Sequence, residues 1–307
     1  MIYGGLMWEE IDLNRDPQLD QIILFLFYKL KEKNMGVSRY GAQKTLYKLK
    51  KELGEDSSLY NSIPYYWYIH GPYSETLDSG LKAIINTPLL EKHRSLYKLN
   101  EDYYYLLSKN PEKYFPLIFD FFPVVDEIFD DLIKNKNRFY NLDKEIYLDY
   151  APYSFMPPYK FEIYNVMDST ENYEYSIIDD ILPTYFDCES KLPYGEFFSD
   201  YGEVYSDFVG VLDRFFTKDI INEYFEQIKA NSLEIWSTFA QGLSYKYHDE
   251  FYEYKSQIWK ANFLEQTHLL EDSIKKLRKI PREYKNSSNE SKNYKFVSST
   301  VEAYLRG

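Results

Sequence analysis

The sequence predicts a mainly α-helical protein with a minor β component, in which an N-terminal winged helix-turn-helix-like domain precedes an aromatic-rich, mostly helical C-terminal domain. Apolar residues recur at helical spacing along most of the chain. The first third orders its predicted elements as helix, helix, strand, helix and hairpin, which is the winged-helix order. Only 12 of the 307 residues are glycine, which disfavours folds built on glycine-rich loops.

Two helices are predicted first. Asp16 and Pro17 favour a helix start, and Asn34-Met35-Gly36 favours its end. Ser38 is the predicted N-cap of the second helix, which Gly54 ends. Its apolar stripe consists of Ala42, Leu46, Leu49 and Leu53. At 100° per residue the opposite side carries Lys44, Lys48 and Lys51, so we expect an exposed basic face there.

A strand over Ile63–Ile69 is predicted next, because the segment is aromatic and β-branched. The corner that follows is Gly71, Pro72, Tyr73 and Ser74, in which Ser74 is the expected N-cap of a third helix over Glu75–Asn86. A hairpin is predicted over Leu89–Leu99, with Lys92, His93 and Arg94 at its tip, before a short helix capped by Asn100.

In a winged-helix protein one helix enters a DNA groove while the hairpin contacts the backbone. The candidate nucleic-acid contacts are therefore Arg39, Lys44, Lys48, Lys51, Lys82, Lys92, His93 and Arg94. A net charge of −13 opposes non-specific binding to phosphate. The third helix offers only Lys82 against Glu75 and Asp78, which is a poor composition for a helix that reads a groove.

Two sequence stretches also resemble a known family. Gln43–Leu49 (Gln-Lys-Thr-Leu-Tyr-Lys-Leu) and Tyr66–Leu77, which contains Gly-Pro-Tyr-Ser, are similar to the Panacea/SocA-like group of phage-associated, antitoxin-type proteins and to related archaeal winged-helix regulators. His70 stands where that family usually has an aromatic residue. The resemblance covers residues 20–107 and implies a regulatory or antitoxin-like, non-catalytic role with a protein partner such as a small toxin or phage-related protein.

Three segments are predicted: a winged-helix-like domain over 1–107, an acidic helical and irregular region over 108–200, and a helical bundle with a basic C-terminal segment over 201–307. Residues 108–228 hold 10 basic against 25 acidic side chains. Glu145–Tyr150 and Tyr159–Val166 are predicted as strands. Further on, Leu243, Tyr247, Phe251, Tyr254 and Ile258 recur as one helical stripe, and Phe296–Leu305 is a short amphipathic tail.

No catalytic chemistry is predicted. The sequence has no dinucleotide, P-loop, zinc-protease or nucleophile-elbow motif, and its four histidines show no ligand spacing. Asp187 and Glu189 flank the single cysteine, Cys188, and should disfavour its thiolate. We therefore predict no cofactor and no metal. One cysteine, no membrane span and no signal segment favour a cytoplasmic protein.

Three functions remain open from the sequence. The first is a non-enzymatic regulator or antitoxin-like protein that binds DNA, a protein partner or both, as a homodimer. The second is a protein-interaction module whose acidic, tyrosine-rich surface binds a basic partner without binding DNA. The third is a carboxylate-metal enzyme built on the acid pairs of Asp126–Asp131, which repel each other unless a positive group compensates them.

Overall fold

A computed structural model describes residues 17–170, 175–193, 195–215 and 218–280. These residues group into two compact units. The first comprises the described residues up to Ala151 together with Leu243–Gln257, and the second comprises Pro152–Gly242 and the described residues from Ile258 onward. The predicted mainly helical fold class is confirmed. Among the described residues no helix is long and apolar enough to cross a membrane.

The first unit contains nine helices and two short hairpins in its described N-terminal part. The helices are α1 Pro17–Glu32, α2 Arg39–Leu53, α3 Ser58–Asn61, α4 Glu75–Ile85, α5 Glu101–Lys109, α6 Pro111–Tyr114, α7 Phe122–Lys134, α8 Lys136–Tyr140 and α9 Leu142–Tyr150. The strands are β1 Tyr66–Tyr68, β2 Gly71–Tyr73, β3 Leu90–His93 and β4 Leu96–Leu99. They form two separate antiparallel pairs, β1 with β2 and β3 with β4.

Helix α1 forms the centre of this unit. Its segment Leu19–Phe27 is buried on every side, which is the pattern of a helix enclosed by others rather than one lying on a surface. It packs against α4, α7 and β4. Phe25 contacts the rings of Phe115 and Phe122, with centroid separations of 5.4 and 4.5 Å, so the segment after α5 closes over the same core.

Several local predictions are confirmed. Ser38 Oγ accepts a hydrogen bond from Gly41 N at 3.0 Å, Ser74 Oγ accepts from Leu77 N at 3.1 Å, and Asn100 Oδ1 accepts from Asp102 N at 2.9 Å. Gly54 follows the end of α2 with φ of 73°. The β3–β4 hairpin lies within the predicted Leu89–Leu99. Each of these features is set by residues within a few positions of one another.

The second unit is built from helices. They are α10 Met156–Pro158, α11 Asn165–Ser169, α12 Tyr175–Ser190, α13 Ser199–Phe215, most of α14 Lys218–Lys246 and most of α15 Glu253–Leu277. A π-helical stretch, Tyr159–Tyr164, joins α10 to α11, and a 3-10 turn, Glu196–Phe198, precedes α13. The predicted amphipathic tail Phe296–Leu305 lies outside the described residues.

The two predicted strands are wrong. Glu145–Tyr150 lies in helix α9, and Tyr159–Val166 forms the π-helical stretch and the start of α11. The buried side chains Tyr159, Ile163 and Met167 recur every four residues, which places them on one helical face. Alternating aromatic and polar residues suggested a period of two, but the apolar residues that reach the core follow the helical period.

The predicted continuous stripe from Leu243 to Ile258 is also wrong. Helix α14 ends at Lys246, and the chain leaves the helix to pair with the residues around β1. Trp67 N donates to Tyr247 O at 3.0 Å, and Asp249 N donates to Tyr65 O at 2.9 Å. These backbone bonds replace the helical ones, so Leu243 is buried whereas Phe251, Tyr254 and Ile258 are exposed.

Several tyrosines of the second unit are buried. The hypothesis of an acidic, tyrosine-rich surface had assumed that such tyrosines are available to contact a basic partner. Tyr159, Tyr185, Tyr201 and Tyr205 are all at most 1% exposed. Their hydroxyls are hydrogen-bonded: Tyr159 donates to Ser232 O at 2.8 Å and Tyr201 donates to Ile235 O at 3.0 Å. A buried tyrosine with a satisfied hydroxyl stabilises a core, so these four rings belong to the interior of the unit.

Candidate functional site at the Gly-Pro-Tyr-Ser corner

The lysines of α2 do not form an exposed basic face. Lys44 and Lys48 are 2% and 4% exposed, and Lys50 is also buried. The prediction of exposure is therefore wrong for Lys44 and Lys48. The reason is that α9 packs along the lysine side of α2. The spacing of α2 correctly identifies its polar side, but it carries no information about an acidic helix some 100 positions further along the chain that covers this side.

Each buried lysine meets carboxylates or carbonyls of its own unit. Lys48 Nζ lies 3.1 Å from Glu145 Oε1 and 3.3 Å from Asp149 Oδ2, both on α9. Lys44 Nζ lies 3.5 Å from Asp143 Oδ1. Burial alone lowers the pKa of Lys48, but the hydrogen bonds that its ammonium donates to Tyr150 and Glu145 outweigh it and raise that pKa above its ordinary value. Lys48 therefore stays charged inside the unit.

Lys44 also fixes the corner that carries the family resemblance. Its ammonium donates to the carbonyl oxygens of His70 and Pro72. Gln43 brackets the same corner, because its Nε2 donates to Ser74 O at 2.8 Å while its Oε1 accepts from Ser74 N at 3.1 Å. Hydrogen bonds from α2 therefore hold the corner both at His70, after β1, and at Ser74, after β2. Within the corner, Tyr73 of β2 pairs with Tyr66 of β1.

Glycine at position 71 is required for two reasons. Its φ is +84°, a conformation that residues with a side chain rarely adopt. A Cβ built there would lie 2.9 Å from Lys44 Nζ and 3.0 Å from the Tyr147 ring. A side chain at position 71 would therefore have a strained backbone and would displace the Lys44 ammonium from its position.

Gly71→Ala is expected to lower the free energy of unfolding by about 2–4 kcal/mol, because positive-φ strain and crowding add. Gly195→Ala is the matched control: Gly195 has φ of −67° and no atom within 4 Å of its built Cβ, so the change should stay within about 0.5 kcal/mol. Thermal unfolding of the two variants measures the difference. Equal midpoints would show that the corner tolerates a side chain.

A cleft of about 400 Å³ opens beside this corner. We call it the corner cleft; its walls include Arg39, Tyr40, Tyr68, His70, Tyr73 and Asp78. Tyr40 is 45% exposed, and its hydroxyl donates to His70 O at 3.3 Å. Desolvation of the hydroxyl end, with the nearby Asp143, raises the pKa of Tyr40, so the phenol remains protonated. Aromatic rings and one ion-paired guanidinium thus dominate the walls.

Asp78 connects two of the predicted DNA contacts. It forms an ion pair with Arg39 and lies 2.8 Å from Lys82 Nζ. Burial raises the pKa of Asp78, but the hydrogen bonds and charges of Arg39 and Lys82 outweigh it and hold the pKa below the usual 3.8. Because the folded value is the lower one, the stabilisation from this carboxylate is complete above pH 3.8 and is lost as the pH falls through the folded pKa.

Asp78→Asn is accordingly expected to cost about 1–2 kcal/mol at pH 7. The stability difference between the variant and the unmodified chain should shrink as the pH falls below 3.8 and the folded carboxylate takes up its proton. Thermal unfolding at a series of acidic pH values measures it. A difference that does not change with pH would show that the Asp78 charge contributes nothing.

The other predicted contacts lie at separate places in the first unit. Lys51 is half-buried, with its Nζ 5.6 Å from the centre of the Tyr47 ring. Lys92, His93 and Arg94 are exposed at the tip of the β3–β4 hairpin. His93 Nε2 lies 3.5 Å from Glu91. The structure therefore brings Arg39 and Lys82 together on Asp78, turns Lys44 and Lys48 inward, and leaves the hairpin tip exposed.

Sequence reasoning missed the cleft residues Tyr40, Gln43 and Asp78 and the acids of α9. Tyr40 and Gln43 lie within one helical turn before Lys44 on α2. They could have been predicted as contacts of the corner only if the corner had been expected to pack on this helix. The acids of α9 are Asp143, Glu145 and Asp149, and their spacing is compatible with an acidic helix face. The prediction of a strand over 145–150 prevented that interpretation. Asp249, which pairs with Lys50 at 2.8 Å, had no local signal at all.

One acid pair of α7, Asp126 with Asp130, is already compensated by a lysine. Lys29 Nζ lies 2.6 Å from Asp126 Oδ1 and 3.3 Å from Asp130 Oδ1. The described residues contain no group of three or more histidine, cysteine or carboxylate side chains placed to hold a metal ion. Cys188 is buried, and burial, with Asp187 adding, raises its pKa to about 12, as its flanking acids predicted.

Comparison of the chain with protein-family models, with curated proteins and with solved structures finds no match.

Proposed function

We propose that this chain is a non-enzymatic protein-binding module of regulatory or antitoxin-like type, and that its first unit meets a protein partner at the corner cleft. The observation that carries the proposal is the burial of Lys44 and Lys48 in ion pairs with α9. Charges held in this way cannot release counterions from DNA. The exposed basic face of α2, which was the main reason in the sequence to expect a DNA-binding helix, is therefore absent at Lys44 and Lys48. Protein binding needs no such basic face.

The walls of the corner cleft favour a protein partner. Tyr40, Tyr68 and Tyr73 offer aromatic area at small entropic cost, and Arg39 sits among them. Aromatic and arginine side chains around a small depression are the composition of interface hot spots. A volume of about 400 Å³ accommodates one or two side chains of a partner, such as the small toxin or phage-related protein that the family resemblance implies.

Alanine variants of the cleft test the proposal. Tyr40→Ala and Tyr68→Ala remove aromatic walls, whereas Tyr105→Ala removes a tyrosine that is 63% exposed and outside the cleft. We expect a stoichiometric partner to co-purify from the native host with the unmodified chain and with Tyr105→Ala. Its affinity should fall about tenfold or more for the two cleft variants. Retention of the partner by all three variants would contradict a binding role for the cleft.

DNA binding through the hairpin is the second candidate, and the exposure of Lys92, His93 and Arg94 favours it. The winged-helix order expected from the sequence motivates this candidate. The elements here run α1, α2, α3, β1–β2, α4 and β3–β4, and the hairpin tip would serve as the wing that touches phosphate. Arg39, Lys51 and Lys82 would supply the remaining contacts. A homodimer would present two such tips to one site.

A mobility-shift assay at two salt concentrations separates the two candidates. For a DNA-binding protein, neutralising Lys92 and Arg94 as Gln should weaken binding and reduce the slope of log affinity against log salt by about 2, whereas the buried Lys48→Gln should leave the slope unchanged. Absence of any shift at low salt, or affinity that is flat across salt, would contradict the DNA candidate and leave protein binding as the proposed function.

A further inference from the structure

A second depression lies wholly within the second unit, between α13 and α15. Its volume is about 700 Å³. We call it the α13–α15 groove. Phe197 and Phe263 stack on each other at one end with a centroid separation of 4.7 Å, and Leu264 is 49% exposed beside them. An apolar floor that stays partly exposed between two helices is the shape that accepts a third helix.

The rim of this groove is acidic. Asp200, Glu203, Asp207 and Glu271 all line it. Asp207 lies 3.3 Å from Arg278, and Glu271 lies 2.6 Å from Lys275. Within the described part of the chain, Asp200 and Glu203 form no ion pair. His268 is the one titratable cation-forming residue in the lining, so carboxylates dominate the potential at this surface.

We propose that the α13–α15 groove binds a lysine- or arginine-rich amphipathic helix of a partner protein. From Phe263 to Glu271 the groove follows α15 for about two turns, or about 12 Å at 1.5 Å per residue. A docked helix of that length places apolar residues at i, i+3 and i+4 on the floor formed by Phe197 and Leu264. Its flanking cations then meet Asp200 and Glu203.

Charge complementarity decides between occupants. An acidic helix would place like charges against Asp200 and Glu203, the two rim carboxylates that Arg278 and Lys275 do not compensate, and a purely apolar helix would desolvate the same two carboxylates without supplying a cation. The acidic excess of residues 108–228, which include α13, adds long-range attraction for a basic segment. The proposal concerns the second unit alone, so it stands or falls separately from the corner cleft.

The probe is a synthetic 14-residue helix with leucine at i, i+3, i+4 and i+7 and lysine on both flanks; its control carries glutamate in place of lysine. Fluorescence anisotropy with the full chain should show binding of the lysine peptide only. Glu203→Lys should weaken that binding about tenfold or more, and Leu264→Ala about threefold or more. Asp179→Lys makes the same charge change on an exposed acid of α12 outside the groove and should alter binding less than about twofold.

Three outcomes would overturn the proposal. The first is no binding of the lysine peptide. The second is an equal loss for Glu203→Lys and Asp179→Lys, which would mean attraction to the acidic surface as a whole. The third is that the lysine peptide binds only after Lys292→Gln and Lys295→Gln are introduced into the chain. This would mean that the chain's own C-terminal residues, and not a partner, are the occupant of the groove.

Discussion

Replacing Asp249 with alanine is expected to lower the free energy of unfolding of the first unit by about 3 kcal/mol. Asp249 Oδ2 lies 2.8 Å from Lys50 Nζ and also accepts a hydrogen bond from Tyr65 N at 2.6 Å. Its loss leaves the 2%-exposed Lys50 with only the carbonyls of Tyr60 and Ile63. Burial already lowers the pKa of Lys50, so this lysine depends on its carboxylate partner.

The rates of amide hydrogen exchange in α1 and α2 measure the free energy of unfolding of this unit. Asp249→Asn keeps an acceptor for Tyr65 N while removing the charge, and should cost about half as much as alanine. The exposed neighbour Glu250→Ala should change stability by less than about 0.5 kcal/mol. If Asp249→Ala behaves like Glu250→Ala, the contact between Lys50 and the returning segment Leu243–Gln257 contributes nothing to the unit.

Lys44→Met should cost about 2 kcal/mol, because methionine fills the same volume but leaves three acceptors without their cation. These acceptors are the carbonyls of His70 and Pro72 and the Asp143 carboxylate, which is 26% exposed and so retains some water. Lys51→Met is the matched control on the same helix, since Lys51 is half-buried and its ammonium lies over the Tyr47 and Tyr60 rings. It should change stability by less than about 0.5 kcal/mol.

The two lysine variants also differ in what they do to the corner. Lys44→Met should increase hydrogen exchange at the amides of the β1–β2 turn, because its ammonium bonds to both sides of that turn. Lys51→Met should leave these amides unchanged. Equal exchange and equal stability in the two variants would mean that Lys44 is an ordinary surface lysine.

Local features of the fold could be predicted from the sequence because neighbouring residues determine them. Ser38, Ser74 and Asn100 cap helices with their own side chains, and the hairpin at residues 90–99 closes over a two-residue tip. The mainly helical class follows from the apolar period. These signals need no knowledge of the rest of the chain.

The candidate site could not be predicted, since its contacts join distant positions. Lys48 meets Asp149, which is 101 positions away, and Lys50 meets Asp249, which is 199 positions away. A lysine opposite an apolar stripe has the same sequence pattern whether water or an acidic helix lies above it. The corner motif marks residues 71–74, but the Tyr40, Gln43 and Asp78 walls of the cleft beside it depend on how α2 packs against the corner.

Three lysines of α2, Lys44, Lys48 and Lys50, bind the protein's own acidic residues and do not face solvent. Acetylation of the native chain with an amine-reactive ester, followed residue by residue with mass spectrometry, tests this arrangement most directly. Lys44, Lys48 and Lys50 should react at least about tenfold more slowly than Lys82 and Lys92, because their ammonium groups become accessible only through local unfolding. Reaction of Lys44 and Lys48 at the rate of Lys92 would contradict the claim and restore the basic face.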